Sequence, residues 1–543
     1  MAKKHKTKPA PTPVATSTPV HLPAVASSTR PSYWFSWIQV FAIDARSLGL
    51  FRIILGLLLL ADLVLRAVDL EAFYSDEGVM PRLTRIANYE LNDTTGLKYL
   101  LSLHMVSGQN WWQILLFSIF GLFSFSLMIG YRTRLSALVS YVMLCSLQSR
   151  NPIILDGGDV YIRVMLFWGL FLPMNMRFSV DRWLRPEPEP PLGVLNLATF
   201  AMLTQVGYVY AMGAVLKNDA VWTRDYTAMY YAMSLECFST WLGKWLVHQL
   251  VLTKFLTFVT WWLELVGPIL LLLPFWNRYL RIAVILGFWG FHMSTEETLH
   301  LSIFPFIGCM AWIPFIPACV WDAKSWPGKY LVPFFGALVQ PIQVQIEAII
   351  RAFRPYFRKP EAPYFEMGRV AKIFVGITWI YVLLWNLREI PKIGQSVMPL
   401  SWNVVGRLLH VDQNWDMFAP KPTTDDGWYV MKAILLDGTE VNLWDLDQPV
   451  TLQKPESVQA TYINRRWRKY LLNIYQGRFD QFRQPFALWL AVRWENAHPD
   501  RGPEKRIKTI QIDFMLDEVL PPGVSRPAPR LVNQITMENK QLK

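Results

Sequence analysis

Tyr208-Val209-Tyr210-Ala211-Met212-Gly213-Ala214-Val215-Leu216-Lys217-Asn218-Asp219-Ala220-Val221-Trp222 closes an apolar run that begins near Val194, and it ends on a lysine, an aspartate and a tryptophan. A run of that length matches the ~20 residues a helix needs to cross the hydrocarbon core of a bilayer. Lys217 therefore falls where the run should meet a membrane surface. Position alone leaves two readings for it. Long cationic side chains at helix ends reach for the headgroups and act as anchors. A lysine held in an apolar pocket instead loses its charged form and can take protons near neutral pH.

Similar runs recur on both sides of this one. Of the 543 residues, 52% are hydrophobic and 14% aromatic, so the composition is that of a polytopic membrane protein. Spans are expected at about 48–65, 111–130, 134–149, 159–176, 194–216, 252–275, 279–295, 299–318 and 371–387, nine in all, with a soluble loop of some thirty residues before the sixth. The expected fold is mainly α: a membrane helix bundle with a small external α+β domain over 400–535. Within that domain Trp428 to Trp444 alternates around Asp437-Gly438, a hairpin signal. Phe486–Trp494 and Ile507–Met515 read as further strands, with a basic helix over about 458–475. Residues 1–30, a lysine cluster followed by Ala, Pro, Thr and Ser, read as a disordered tail with no signal-peptide core. Residues 31–46 (the aromatic SYWFSWIQVFAIDA) read as an interfacial helix, and 321–370 as a basic amphipathic segment.

The net charge of +12 is best read through loop asymmetry. Lys3, Lys4, Lys6 and Lys8, then Arg132/Arg134, Arg177/Arg182/Arg185, Arg278/Arg281 and the stretch from Lys324 to Lys372 all fall on one side of the nine-span scheme. The positive-inside rule puts that side, with the N-terminus, in the cytoplasm and the C-terminal domain outside. No basic patch interleaved with aromatics marks a nucleic-acid surface. Cys145, Cys237, Cys309 and Cys319 have no CxxC spacing, which points to free thiols and to neither a disulfide framework nor a metal centre.

Ionisable residues inside apolar runs are the remaining candidates for chemistry. His292 has Glu296 one turn later on the same face, which reads either as an interfacial polar cluster or as a site wall in which Glu296 orients His292. His300 opens the eighth run. Asp159 and Arg163 stand i,i+4 and are expected to pair with each other. Arg52, Asp62 and Glu264 are expected to be inter-span partners. Trp415-Asp416-Met417 is loop sequence with an aromatic anchor.

Taken in order, Ser47-Leu48-Gly49-Leu50-Phe51-Arg52, the FYSDEGVMPR loop (Phe73 to Arg82), Gly130-Tyr131-Arg132, Phe178-Ser179-Val180-Asp181, the Tyr210–Trp222 stretch, Phe291-His292-Met293, Trp415-Asp416-Met417, Asp437-Gly438 and Arg465-Arg466-Trp467 resemble the bacterial HTTM proteins. The membrane domain of that family is shared with the vitamin K-dependent gamma-glutamyl carboxylase. The resemblance implies nine spans, a cytoplasmic N-terminus, residence in the bacterial inner membrane and a periplasmic or extracellular C-terminal domain. It also implies that Lys217 falls on the lysine that deprotonates a reduced quinone. Oxygenation then yields a base that removes a glutamate γ-proton, and carbon dioxide adds to the carbanion. The implied site has Lys217, His292 and Glu296 as catalytic groups. Asp159, Arg163, Trp222 and His300 would be cofactor contacts, and Trp415, Asp416 and Met417 substrate contacts. The cofactor would be a quinol such as reduced menaquinone, and the partners membrane lipid and an exported polypeptide. The chain departs from the carboxylase in having Leu216 before Lys217, Val221 in place of an acidic residue, Gly158-Asp159 where a histidine is expected, Ser294-Thr295-Glu296 without the asparagine that follows the carboxylase's matching FH pair, and Phe418-Ala419-Pro420 after Trp-Asp-Met. A rival expectation is a non-catalytic maturation or export partner that holds a secreted polypeptide. A lipophile transporter is disfavoured, because no repeat of spans is visible.

Overall fold

In the computed structural model of the protein the described residues are 40–92, 102–185, 189–325, 367–391, 393–500 and 502–538, with scattered positions over 328–348. The expected disordered tail, most of the interfacial helix and most of the 321–370 segment lie outside them. Of the interfacial stretch, Ile43 and Asp44 are extended and pair antiparallel with Val194 and Gly193, which ties the start of the first span to the start of the fifth.

The described residues are mainly helical, with a small sheet near the C-terminus. The helices that organise the bundle are α1 (Ala45–Ala67), α2 (Asn110–Ile129), α3 (Thr133–Arg150), α4 (Gly157–Gly169), α5 (Leu197–Leu216), α6 (Leu250–Leu270), α7 (Asn277–Thr298), α8 (Phe304–Ala311) and α9 (Arg369–Arg388). Five of them, α1, α2, α5, α6 and α9, are long and apolar enough to cross a membrane. Three of the four other expected spans are shorter or less apolar than these for physical reasons. At 1.5 Å per residue the 13 residues of α4 reach only ~20 Å. The apolar helix after His300 begins at Phe304, because Leu299 is drawn into a bridge with Ser239. In α7, Arg278, Arg281, Glu296 and Glu297 lower the apolar content of an otherwise long helix.

Local chemistry fixes where these helices start and how closely they approach. Asp44 caps α1 by accepting the Arg46 amide, and Asn196 caps α5 by accepting that of Thr199. Gly56 lets α1 meet α2 backbone to backbone, since a Cβ there would come within 2.7 Å of Met128. Gly130 takes φ +74 to turn α2 into α3 and leaves room for the Arg52 guanidinium. Arg52 spends its donors on the carbonyls of Leu127 and Phe178. Of the expected inter-span partners, Glu264 pairs with Lys217 at the end of α5 and Asp62 with Arg66 and Arg466, while Arg52 bonds carbonyls and leaves its Nε without a partner among the described residues.

The C-terminal region carries β1 (Gly427–Leu435), β2 (Glu440–Asn442), β3 (Ile507–Leu516) and β4 (Arg530–Glu538) in one antiparallel sheet of order β2-β1-β3-β4. The hairpin turns at Gly438, whose φ of +86 is the left-handed value that the Asp-Gly pair supplies. Two helices lie with the sheet, α10 (Arg465–Tyr475) and α11 (Arg483–Ala497). The expected strand over Phe486–Trp494 is therefore a correction. Its buried residues, Phe486, Ala487, Leu490, Ala491 and Trp494, follow a helical period, and the polar residues between them face outward.

The stretch between α5 and α6 is a set of short helices and turns that docks on the C-terminal region, and not the soluble loop expected. The Asp426 carboxylate accepts the Glu236 amide at 2.8 Å, while Lys454 bridges Glu236 (2.5 Å) and Asp517 (2.8 Å). Burial pushes the Asp426 carboxyl up to about 6, against the lowering effect of its amide partners. For a carboxyl raised in the fold, stability is fully present below the unfolded value near 4 and is lost as pH rises through the folded one. Rising from about pH 4 to about pH 6 should cost on the order of 3 kcal/mol at this group, with no further change above. The Asp426→Asn variant should lose that component, which the difference in Tm-against-pH curves between the two proteins measures; superimposable curves would refute it.

Candidate functional site

The end of α5 builds the first of two buried polar clusters. Tyr210, Gly213 and Lys217 lie at i, i+3 and i+7 and so share one face. Lys217 is not at a surface: it is 5% exposed, and its Nζ donates to Glu264 Oε2 of α6 at 2.5 Å. The same Nζ stands 4.8 Å from the centre of the Trp222 ring, and Trp222 is itself fixed by donating to the Phe418 carbonyl at 3.0 Å. Burying two ions costs several kcal/mol each unless they meet closely, and a cation over an aromatic face adds to their attraction. The anchor reading of Lys217 is therefore corrected. Glu264 is the single carboxylate of α6, and the need of a membrane-buried lysine for a counter-charge is the signal that could have joined the two.

One to two turns earlier on α5, Tyr210 meets His292 and Trp312. Trp312 Nε1 donates to the Tyr210 hydroxyl at 3.0 Å, and that hydroxyl lies 2.7 Å from His292 Nε2. The hydroxyl keeps a second lone pair and its own proton, so it bonds Nε2 in either imidazole tautomer. Nδ1 is buried and has no partner among the described residues. A Cβ on Gly308 would come within 2.3 Å of the ring, so a glycine is required for the histidine to fit. Sequence reasoning found His292 but missed Tyr210 and Trp312 as its partners, because aromatic residues in an apolar run look like core.

Glu296 does not orient His292. Its carboxylate accepts the amides of Leu301 and Ser302 at 2.9 and 3.2 Å and pairs with His300 at 3.4 Å, so it caps the turn after α7. Trp415 comes close to the Lys217 cluster: its carbonyl and the Glu264 carboxylate are the nearest groups to a Cβ placed on Gly213, at 3.8 and 3.9 Å. Those are ordinary van der Waals distances, so the three groups pack together. Asp416 points outward to Asn414 (2.9 Å), and the Met417 sulfur packs on Gly157.

The second cluster corrects the expected Asp159–Arg163 pair. Asp159 takes Arg66 of α1 and Arg466 of α10, the latter at 2.5 Å. Asp62 takes Arg66 and Arg466, each at 2.6 Å. Arg465 stands 3.7 Å from Asp62 and 3.5 Å from Asp156. Three arginines thus face three aspartates. For Arg466, burial works against the charge, but the carboxylates of Asp159 and Asp62 more than offset it and hold the guanidinium charged well above its usual range. Arg163 turns the other way, to Gln148 (3.0 Å) and Asp412 (3.3 Å). The i,i+4 spacing failed because Arg466, far off in sequence, holds Asp159 in a bidentate pair and Arg66 adds a further bond.

The expected site residues therefore divide. Lys217, Trp222 and Trp415 come together around Glu264, and His292 stands next to Tyr210 on the same helix face. Asp159, Arg163, Glu296 and His300 are engaged with other protein groups. No family model, curated protein or solved structure matches the chain.

Proposed function

We propose that this is a nine-span bacterial inner-membrane protein of the HTTM type, with its N-terminus in the cytoplasm and its C-terminal domain outside, and that it is a carboxylase-like enzyme acting with a lipid-soluble quinol on an exported polypeptide. The observation that carries the reading is the Lys217–Glu264 pair, buried in the bundle with its ammonium against the Trp222 ring. A buried ammonium–carboxylate pair can exchange one proton between its members without creating net charge. With that proton on Glu264, the neutral Lys217 amine can take one from an acidic hydroxyl, which leaves an ammonium beside the resulting oxyanion. His292, with Nε2 committed to Tyr210, offers Nδ1 to a hydroxyl, as donor or acceptor according to its tautomer. These groups fit a ring bearing two oxygens, and reduced menaquinone is the candidate. When bound, such a quinol would supply the reaction with oxygen that yields a strong base. Trp415 and Trp222, both buried, flank the pair and keep water from it.

The test supplies the purified protein in lipid with reduced menaquinone, oxygen, labelled bicarbonate and a glutamate-containing peptide. Label incorporation and quinol consumption are expected in the wild-type protein and are expected to be lost in Lys217→Ala. Turnover retained by that variant, or absent from the wild type, would overturn the reading and favour a non-catalytic role in holding a polypeptide.

A further inference from the structure

Between the two halves of the site lies a surface that neither the sequence nor the proposed chemistry accounts for. The seven-residue helix Trp241–Val247 turns its small and apolar residues inward, burying Gly243 and Leu246. It is pinned to the end of α7: the Thr240 amide donates to the Thr298 carbonyl at 3.1 Å, and a Cβ on Gly243 would stand 2.4 Å from that same oxygen. On its other face, one turn apart, Trp241 is 78% exposed and Trp245 52%. The surface continues into the first turns of α6, where Val251 is 86% exposed and Phe255 59%. Lys254 lies among them and is also exposed.

Large aromatic and aliphatic side chains held rigidly outward in one contiguous patch mark an interaction surface. Tryptophans beside lysines, leading directly into a membrane-length helix, fit the headgroup boundary of a bilayer, where amphipathic rings settle and long ammonium chains reach outward. Trp276 and Tyr279, both exposed, stand just past the far end of α6. The helical part of α6 runs ~18 Å from Phe258 to Leu270, and the chain then turns through 271–276 to reach Trp276. The Arg224–Asp225 ion pair, which is exposed, lies next to Tyr226, whose ring packs on Phe258 at 5.4 Å, so it stands level with that part of α6. Its charges would then meet headgroups and not acyl chains.

We infer that the helix Trp241–Val247 and the first two turns of α6 form a shelf lying in the phospholipid headgroup layer on the side of the C-terminal domain, with Trp241 and Trp245 as its lipid contacts. The inference rests on the membrane reading of the bundle and adds a lipid-binding surface and a depth. Glu264 lies six residues beyond Phe258, so the Lys217–Glu264 pair sits ~9 Å beneath the shelf, inside the hydrocarbon. A ligand reaching that pair would be a lipid-soluble one.

The experiment places the photoreactive residue p-benzoylphenylalanine at Trp241, Trp245, Leu122 and Leu436 in four single variants, reconstitutes each full chain in phosphatidylethanolamine–phosphatidylglycerol vesicles, and weighs lipid adducts by mass spectrometry. Leu122, exposed near the middle of α2, reports the bundle, and Leu436, exposed on the sheet domain, reports water. Adduct yields at 241 and 245 within about threefold of that at 122, and at least about tenfold above that at 436, are expected for interfacial tryptophans. Lipid adducts at 122 with none at 241 and 245, or with polypeptide adducts there, would overturn the shelf alone. Absence of lipid adducts at 122 as well would overturn the membrane reading on which it rests.

Discussion

Replacing Arg466 with methionine should cost about 3–5 kcal/mol of stability, the range found when one partner of a buried ion pair is removed. Arg466 is the arginine that reaches both Asp62 and Asp159, at 2.6 and 2.5 Å, while being carried by a helix of the C-terminal region. Its loss leaves two aspartates and only Arg66 in direct contact with both, so a carboxylate is stranded in a buried site. The replacement also removes a hydrogen bond to the Ile154 carbonyl at 2.9 Å. Thermal unfolding in detergent, with limited proteolysis around residues 400–535, reads the effect. The variant should unfold at lower temperature, and its C-terminal region should be cut first. The double variant Arg466→Met with Asp62→Asn should recover part of the loss, because one stranded charge is then gone. Unchanged melting and proteolysis would mean that the cluster does not hold the two regions together.

The Lys217→Met variant is expected to lose a similar ~3–5 kcal/mol, because Glu264 would remain buried and charged without its ammonium. Glu264→Gln should be costly for the converse reason. The informative protein is the double variant Lys217→Met/Glu264→Gln. Removing both charges removes the desolvation cost together with the attraction, and such neutral replacements of buried pairs come out near the original stability. Under the proposed function this double variant folds and still fails to consume quinol, which separates a chemical role from a structural one. If instead each single variant changes stability by less than ~0.5 kcal/mol, as exposed substitutions do, Lys217 would be a headgroup anchor after all.

Much of the bundle was legible because long apolar runs allow few outcomes. Runs such as Leu48–Leu65 and Val194–Leu216 form helices wherever they are buried, since no water is present to satisfy an open backbone. The Asp437-Gly438 turn was equally legible, because its geometry is set by the two residues themselves. The PFALWLAVRW stretch was misread as a strand because a short apolar run carries both periods until a neighbouring surface selects one. The site was legible in residue type and much less so in pairing. Lys217, Trp222, His292 and Asp159 all stood out as costly residues in apolar surroundings, which is a property of sequence.

Their partners were a matter of tertiary structure. Glu264 is 47 residues from Lys217, His292 is 82 from Tyr210, and Arg466 is 307 from Asp159. No local pattern encodes such contacts, because charge–charge attraction acts on separation in space and is indifferent to separation along the chain. The sequence by itself determined that several helices can cross a membrane, where their costly groups lie, and that a sheet-bearing region follows. Only the packed fold decided which opposite charges meet, that Glu296 caps a turn and not a histidine, and that Trp241 and Trp245 face outward. Burial and ion pairing are properties of surfaces brought together, and those surfaces exist only once the helices have packed.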